Sequence, residues 1–221
     1  AKVRIDTSWY NKNDKKFTIK TAGELYGLAY LVNAGNDFAG KKIVLGADIE
    51  FNDGKAKDFV ENAPMYRWTT IGSTANHANQ TATFAGTFDG KMHTISGLSS
   101  DTSNIWFVGL FGATKGATIK NIIVKDSYFA GTYYTACIVG YAMDTTIDTV
   151  YSNATIKNAN ASSSGNSAGI VGGIIGSVNN AWFDGSLETW GQFVGGIAGV
   201  SFNSEGNTFT NCLNTGAIKN N

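Results

Sequence analysis

The sequence predicts an all-β chain, a coiled parallel β-solenoid with one N-terminal capping α-helix. Three observations carry this. A small-apolar-apolar-Gly segment recurs, as Val108-Gly109-Leu110-Phe111-Gly112, Ala136-Cys137-Ile138-Val139-Gly140, Val171-Gly172-Gly173-Ile174-Ile175-Gly176 and Val194-Gly195-Gly196-Ile197-Ala198-Gly199. After each copy come a polar turn and a second apolar run, at 121–124, 149–152, 180–183 and 211–214. Well before the first copy, the stretch that opens at Thr21-Ala22-Gly23-Glu24 spaces its apolar residues as a helix does.

The repeat implies stacking. Units of twenty to thirty-odd residues with two short apolar runs cannot bury a core alone, but each can cover the apolar side of the one before. The runs are short and rich in Ile and Val, which favours strands over helices. Taking Gly112, Gly140, Gly176 and Gly199 as equivalent gives separations of 28, 36 and 23. The small polar loop 158–167 takes up the widest gap and should protrude. Stacked strands lie about 4.8 Å apart, so equivalent positions form ladders. Ile122, Val150, Ala181 and Cys212 make one inward ladder, with Asn121, Thr149, Asn180 and Asn211 at the turn just before it. Asn side chains at such a turn can hydrogen-bond along the stack.

In chain order, residues 1–16 form an N-terminal extension containing Trp9-Tyr10, and 17–221 form a single β-helix domain. The helical cap spans 21–34: Thr21 and Glu24 make a capping box, Leu25, Leu28, Leu31 and Val32 form one apolar stripe, and Gly35 ends it. This helix should cover the first coil, whose strand edges would otherwise recruit other chains. Short strands follow at 42–45 and 48–51, split by Gly46. A polar loop over 52–68 holds the only proline, Pro64. Strand-like runs resume at 83–85 and 87–88, with Thr94-Ile95 after the Asp89-Gly90 turn. The repeats then occupy about 98–219. Five or six coils, a stub about 25–30 Å tall, are expected at this spacing.

Gly109-Leu110-Phe111-Gly112 matches the signature of the GLUG motif, and Gly173-Ile174-Ile175-Gly176 and Gly196-Ile197-Ala198-Gly199 match its looser form. The run Gly86-Thr87-Phe88-Asp89-Gly90-Lys91-Met92-His93-Thr94-Ile95-Ser96-Gly97-Leu98, with Thr69-Thr70-Ile71-Gly72 upstream, is similar to what precedes GLUG repeats. Over residues 17–219 the chain therefore resembles the GLUG-motif bacterial cell-surface repeat proteins. The resemblance implies a right-handed parallel β-helix exported to the bacterial surface, as in adhesin-like proteins and the non-catalytic region of immunoglobulin A1 proteases. Cys137 departs from it, standing where the family usually has Gly. The C-terminal Gly216-Ala217-Ile218-Lys219-Asn220-Asn221 carries no capping pattern, so further domains of the same chain are expected.

Composition narrows the partners. Hydrophobic residues make up 43% of the chain, enough for a core. Seventeen basic and 17 acidic side chains balance to zero, so no electrostatic reason exists to expect nucleic acid or an anionic membrane. No apolar run is long enough to span a bilayer, and Ala1-Lys2-Val3-Arg4-Ile5-Asp6 lacks a signal-peptide core. Cys137 and Cys212 fall in different runs of separate coils and are expected as free, buried thiols.

Neither a zinc-binding His-Glu-x-x-His, a nucleophile elbow nor a dinucleotide fingerprint is present. No catalytic residue, metal or cofactor is therefore assigned. His77 reads as solvated, and His93 as a structural side chain hydrogen-bonded beside its turn. The acids Asp126, Asp144, Asp148, Asp184, Glu188 and Glu205 fall at different points of their coils and do not stack into one ladder; Asp184 with Glu188, which flank a turn, and Asp144 with Asp148 are the candidate neighbours. Glycoside hydrolysis requires two carboxyls about 5–9.5 Å apart, and solvated turn acids are the simpler reading.

Aromatics are what remains. Flat rings interleaved with Asn and Thr suit sugars. The candidates for ligand binding are Tyr133, Tyr134, Trp190, Trp9 and Tyr10, whereas Trp182 and Phe107 read as core. The functional expectation is a non-catalytic module on the bacterial surface that recognises a carbohydrate or a host or matrix surface. The alternatives are a polysaccharide hydrolase or lyase and a pure spacer.

Overall fold

The computed structural model describes residues 3–73, 82–101, 105–158, 165–203 and 205–221. It is a parallel β-solenoid with a helix at its start. The elements are β1 (Lys16–Ile19), α1 (Ala22–Asn33), β2 (Lys42–Leu45), β3 (Ile49–Glu50), α2 (Ala56–Glu61), β4 (Thr87–Asp89), β5 (Thr94–Ser96) and β6 (Ser99–Asp101). There follow β7 (Phe107–Val108), β8 (Phe111–Lys115), β9 (Thr118–Lys125), β10 (Tyr128–Gly131), β11 (Tyr134–Thr135), β12 (Val139–Ser152), β13 (Thr155–Asn158) and β14 (Asn166–Ala168). The last are β15 (Val171–Phe183), β16 (Ser186–Thr189), β17 (Phe193–Gly195), β18 (Ala198–Ser201), β19 (Thr208–Thr210), β20 (Leu213–Asn214) and β21 (Ala217–Asn220).

Each coil passes through three sheets. It enters on a short sheet (β7-β11-β14-β17), turns at the Gly-rich corner onto a 12-stranded sheet, and leaves along a third (β6-β10-β13-β16-β21). Four coils visit all three faces, fewer than the five or six expected. The earlier strands β1, β2 and β4 extend only the long sheet, because the chain before β6 is spent on the two helices and their loops.

Pairing is parallel throughout, and one inward column runs the length of the molecule: Phe17, Ile43, Phe88, Ile119, Ile147, Val178, Phe209. A second, Phe129, Ile156, Leu187, Ile218, lines the third sheet. Both columns are fully buried from the second to the penultimate rung, at about 1.5–3 kcal/mol per large side chain removed from water. The last rungs, Phe209 and Ile218, are 44% and 42% exposed.

The Ile122–Val150–Ala181 ladder is present in the expected register, and Cys212, partly buried, continues it. Asn121, Thr149, Asn180 and Asn211 all adopt the left-handed conformation, with φ of 55°, 56°, 52° and 51°. That shared turn lets the strand bend once per coil. Asn is among the few residues that tolerate it, and the Asn211 amide donates to Asn180 Oδ1 at 3.2 Å.

The Gly-rich copies stack differently from the expected alignment. Val139 pairs with Val171, and Val171 with Ala198, so the equivalent glycines are Gly112, Gly140, Gly172 and Gly199. The third copy is thus Ala168-Gly169-Ile170-Val171-Gly172, with separations of 28, 32 and 27, and Gly176 lies outside it. The reason is steric. A Cβ on Gly172 would come within 2.6 Å of Gly140 O, and one on Gly199 within 2.6 Å of Gly172 O, so this corner admits no side chain. Gly176 instead sits at φ 139° against Thr145 O, where the long strand irregularly shifts register. In this alignment Cys137 occupies the position of Gly169 and Gly196, and its thiol donates to Gly169 O. It is fully buried, and burial pushes the thiol up to about 12. Both cysteines are free.

The N-terminal cap forms as expected. Thr21 accepts from Glu24 N at 3.2 Å while the Glu24 carboxylate accepts from Thr21 N at 3.0 Å. Leu25, Leu28, Ala29 and Val32 are fully buried on the first coil. Asn33 pins the helix end, donating to Thr70 O and accepting from Gly72 N and Ser73 N. The segment 52–68 is not only loop: α2 forms inside it, with Asp58 accepting from Lys55 N at its start. Its Phe59 packs on Tyr128 and Ala130, on the outside of the third sheet.

Candidate functional site

The solenoid's outer faces carry three groups of aromatic residues. The first lies just past the left-handed turn of the long sheet. Alternation there points Ile122, Val150 and Ala181 inward and Ile123, Tyr151, Trp182 and Leu213 outward, one above another. Trp182 is therefore a surface residue, 43% exposed, and not core. The fully buried neighbour is Phe183. The ladder that places Ala181 inside requires Trp182 outside, because neighbouring residues of a strand face opposite ways. Phe107, by contrast, is buried as expected.

This column has a polar rim. Tyr151 and Trp182 meet edge to face, centroids 4.9 Å apart. Lys125 Nζ lies 5.7 Å from the Tyr151 ring centroid. Trp182 Nε1 donates to Thr215 Oγ1 at 2.8 Å, and Thr215 donates onward to Asp184 Oδ1 at 2.6 Å, so the indole is held in place. Burial, then the carboxylates of Asp184 and Asp126, push the Tyr151 hydroxyl above its ordinary range. A groove of about 360 Å³ lined by Asp48, Glu50, Thr94, Ser96, Lys125 and Asp126 adjoins the column and shares Lys125 with it. The arrangement offers a flat apolar face bordered by hydroxyl acceptors and donors.

The second group holds three of the expected residues, at the corner between the third and the short sheet. Tyr133 lies flat on Trp106, centroids 4.0 Å apart and planes at 10°. Tyr134, in β11, turns the other way and packs with Phe107, Tyr141 and Phe202. Burial raises the Tyr134 and Tyr141 hydroxyls. Gly173 leaves the space for these rings, since a Cβ there would meet both Tyr134 and Phe202 at 2.8 Å. Tyr133 and Tyr134 therefore face different surroundings and do not act as a pair. Trp190 follows β16 two coils further along, with Lys157 Nζ 6.0 Å from its ring centroid. Residues 159–164, most of the loop expected to protrude between these levels, lie outside the described residues.

Trp9 and Tyr10 are at the opposite end, both partly buried against the core. Trp9 rests on Phe17 and Phe38 and donates to Asp6 O at 2.9 Å, while Tyr10 packs on the same two rings. They seat the N-terminal segment and share no surface with the other candidates.

The carboxylates are mostly engaged. Asp148 accepts from Thr149 and Asn180, Asp184 from Thr215, and Glu188 from Lys219 at 2.8 Å and from Asn221. Asp184 closes β15 and Glu188 stands on the outer face of β16, so they belong to different surfaces. Asp89 is the exception in burial, 2% exposed. Burial alone would raise its carboxyl, but the Asn121 amide and the Lys42 ammonium (3.0 Å) outweigh that and hold it well below the usual range. His93 Nδ1 and Asp48 Oδ1 are 3.0 Å apart, as expected of a structural histidine. His77 lies outside the described residues. Among the described residues no group of three or more metal-ligating side chains converges, and no helix is long and apolar enough to cross a membrane. No family model, curated protein or solved structure matches this chain.

Proposed function

We propose that this β-solenoid is a non-catalytic binding module of a bacterial cell surface and that its ligand is a carbohydrate chain. The observation that carries the reading is the outward column Ile123–Tyr151–Trp182–Leu213, with Trp182 exposed and fixed through Thr215 and Asp184. Sugars present an apolar face of C–H groups and a rim of hydroxyls. An immobilised indole linked through Thr215 to Asp184, beside a Tyr151 ring with Lys125 near it, matches both, and the ordering cost of the indole is already met by the protein's own hydrogen bonds. Outward positions repeat about every 4.8 Å along the axis, so an extended glycan lying parallel to the axis would meet the same kind of contact at each level.

The test is binding of neutral polysaccharides (a β-glucan, a mannan and a xylan) to the whole chain, with analysis of the products. Binding to at least one, weakened about tenfold or more in Trp182→Ala without loss of the fold, is the expected result; tenfold is about 1.4 kcal/mol. Because the indole is half in solvent, the variant should fold. New reducing or unsaturated ends would replace this reading with the hydrolase or lyase. Silence on all three polysaccharides would leave the spacer.

A further inference from the structure

We infer that the Tyr151–Trp182 surface takes an unbranched xylan chain, whose rings turn by a third of a revolution at each unit, in preference to a flat cellulose-type ribbon. The inference rests on the glycan-binding reading of that surface and narrows its ligand. Tyr151 and Trp182 occupy neighbouring rungs of one outward column. Their ring centroids are 4.9 Å apart, close to the strand spacing of about 4.8 Å. Either chain, extended along the axis, advances by a similar length per sugar, so each ring meets one unit. Ile123 and Leu213 continue the column by one rung on either side, and these four rungs match four sugars.

The angle between the two rings decides the class. Their planes cross at 68°. A sugar stacks by laying its apolar face on an aromatic face, so two consecutive sugars seated on both rings must themselves be crossed. Successive rings of a cellulose-type chain are related by half a turn, which keeps their planes parallel. Such a ribbon lies flat on one of the two rings and leaves the other. The threefold turn of xylan crosses successive planes by two thirds of a right angle, close to the observed value. Nor is the angle free to adjust. The indole is tied through Nε1 to Thr215, and Thr215 to Asp184. The Tyr151 ring is held by its contact with that indole and by the Lys125 ammonium, 5.7 Å from its centroid. Thr215 is therefore a positioning residue that sets how the indole lies.

The experiment is calorimetric titration of the whole chain with xylotetraose and with cellotetraose, which share their linkage and differ by one hydroxymethyl group per unit. Xylotetraose should bind about fivefold or more tightly, the effect of one additional ring contact. In Tyr151→Ala and in Trp182→Ala this preference should fall to about twofold or less, because a single ring accepts either chain. A preference set by hydroxymethyl bulk would survive both substitutions. Thr215→Val keeps the side-chain volume and releases the indole, so it should still bind xylotetraose while losing the preference. All three side chains point outward, and the variants should fold. Cellotetraose bound as tightly as xylotetraose, or a preference that persists in Tyr151→Ala, would overturn the inference and leave the glycan-binding reading standing. Silence toward both tetrasaccharides with a neutral polysaccharide still bound would do the same. Silence toward every glycan would remove both.

Discussion

At the scale of single residues, the solenoid depends on a few backbone conformations repeated at each level. Four successive levels place one residue in the left-handed region at the same turn, and three of the four are Asn. The exception, Thr149, is β-branched, and its φ of 56° is one such side chains adopt at a cost of order 1–3 kcal/mol. Asn180 already donates to Asp148 beside it, so an amide at 149 has acceptors within the same row. Thr149→Asn should therefore raise the stability of the chain by about 1 kcal/mol, read as a higher urea midpoint at an unchanged slope. A lower midpoint would mean that the Thr149 hydroxyl on Asp148 matters more than the backbone. Cys137 illustrates the opposite case. It occupies a position where the other copies have glycine, yet it fits because its thiol fills the space and donates to a carbonyl one coil away.

Among elements, the capping helix shows how closely unlike pieces pack. α1 is amphipathic, capped at Thr21 and stopped by Gly35, so its existence follows from local chemistry. Its fit against the N-terminal segment does not. Gly27 sits in mid-helix, where glycine is unfavourable by up to about 1 kcal/mol relative to alanine. A Cβ there would come 1.9 Å from Asp6 O. Helix propensity and packing thus oppose each other, and packing wins, because Asp6 N donates to Gly23 O and the Trp9 indole, stacked on Phe38, lies beside Gly27. Gly27→Ala should strengthen the helix while displacing the segment around Asp6. Trp9 then moves into water, seen as faster tryptic cleavage before residue 16 with the rest of the fold intact. Cleavage at the wild-type rate would show that the segment can shift without detaching. α2 is the smaller counterpart: six residues in a stretch that reads as polar loop, held by the burial of Phe59 on the outside of a sheet.

For the whole molecule, one continuous core runs from Phe17 to Leu187 and loses cover in the last coil, where the inward Phe209 and Ile218 are 44% and 42% exposed. Solenoid stability is close to a sum of nearest-neighbour terms, so local opening should follow this gradient. Hydrogen exchange of the 221-residue chain should be slowest in β12, paired on both edges, and at least about tenfold faster in β17–β21. Uniform protection would indicate a single cooperative unit instead. The sequence by itself determined the repeat, the parallel stacking it forces, the helical cap, and the ladders that begin at Ile122 and Asn121. All of these follow from short-range spacing of apolar, Asn and Gly residues. Only the tertiary structure decided which of two adjacent glycine pairs forms the third corner, since Val-Gly-Gly-Ile in the two copies looks alike and only the backbone one coil away distinguishes Gly172 from Gly176. It likewise decided that Tyr133 and Tyr134 part company, that Trp182 faces water, and that the Lys157 ammonium comes within 6.0 Å of the Trp190 ring centroid. Those depend on contacts between coils some thirty residues apart, which no local pattern encodes.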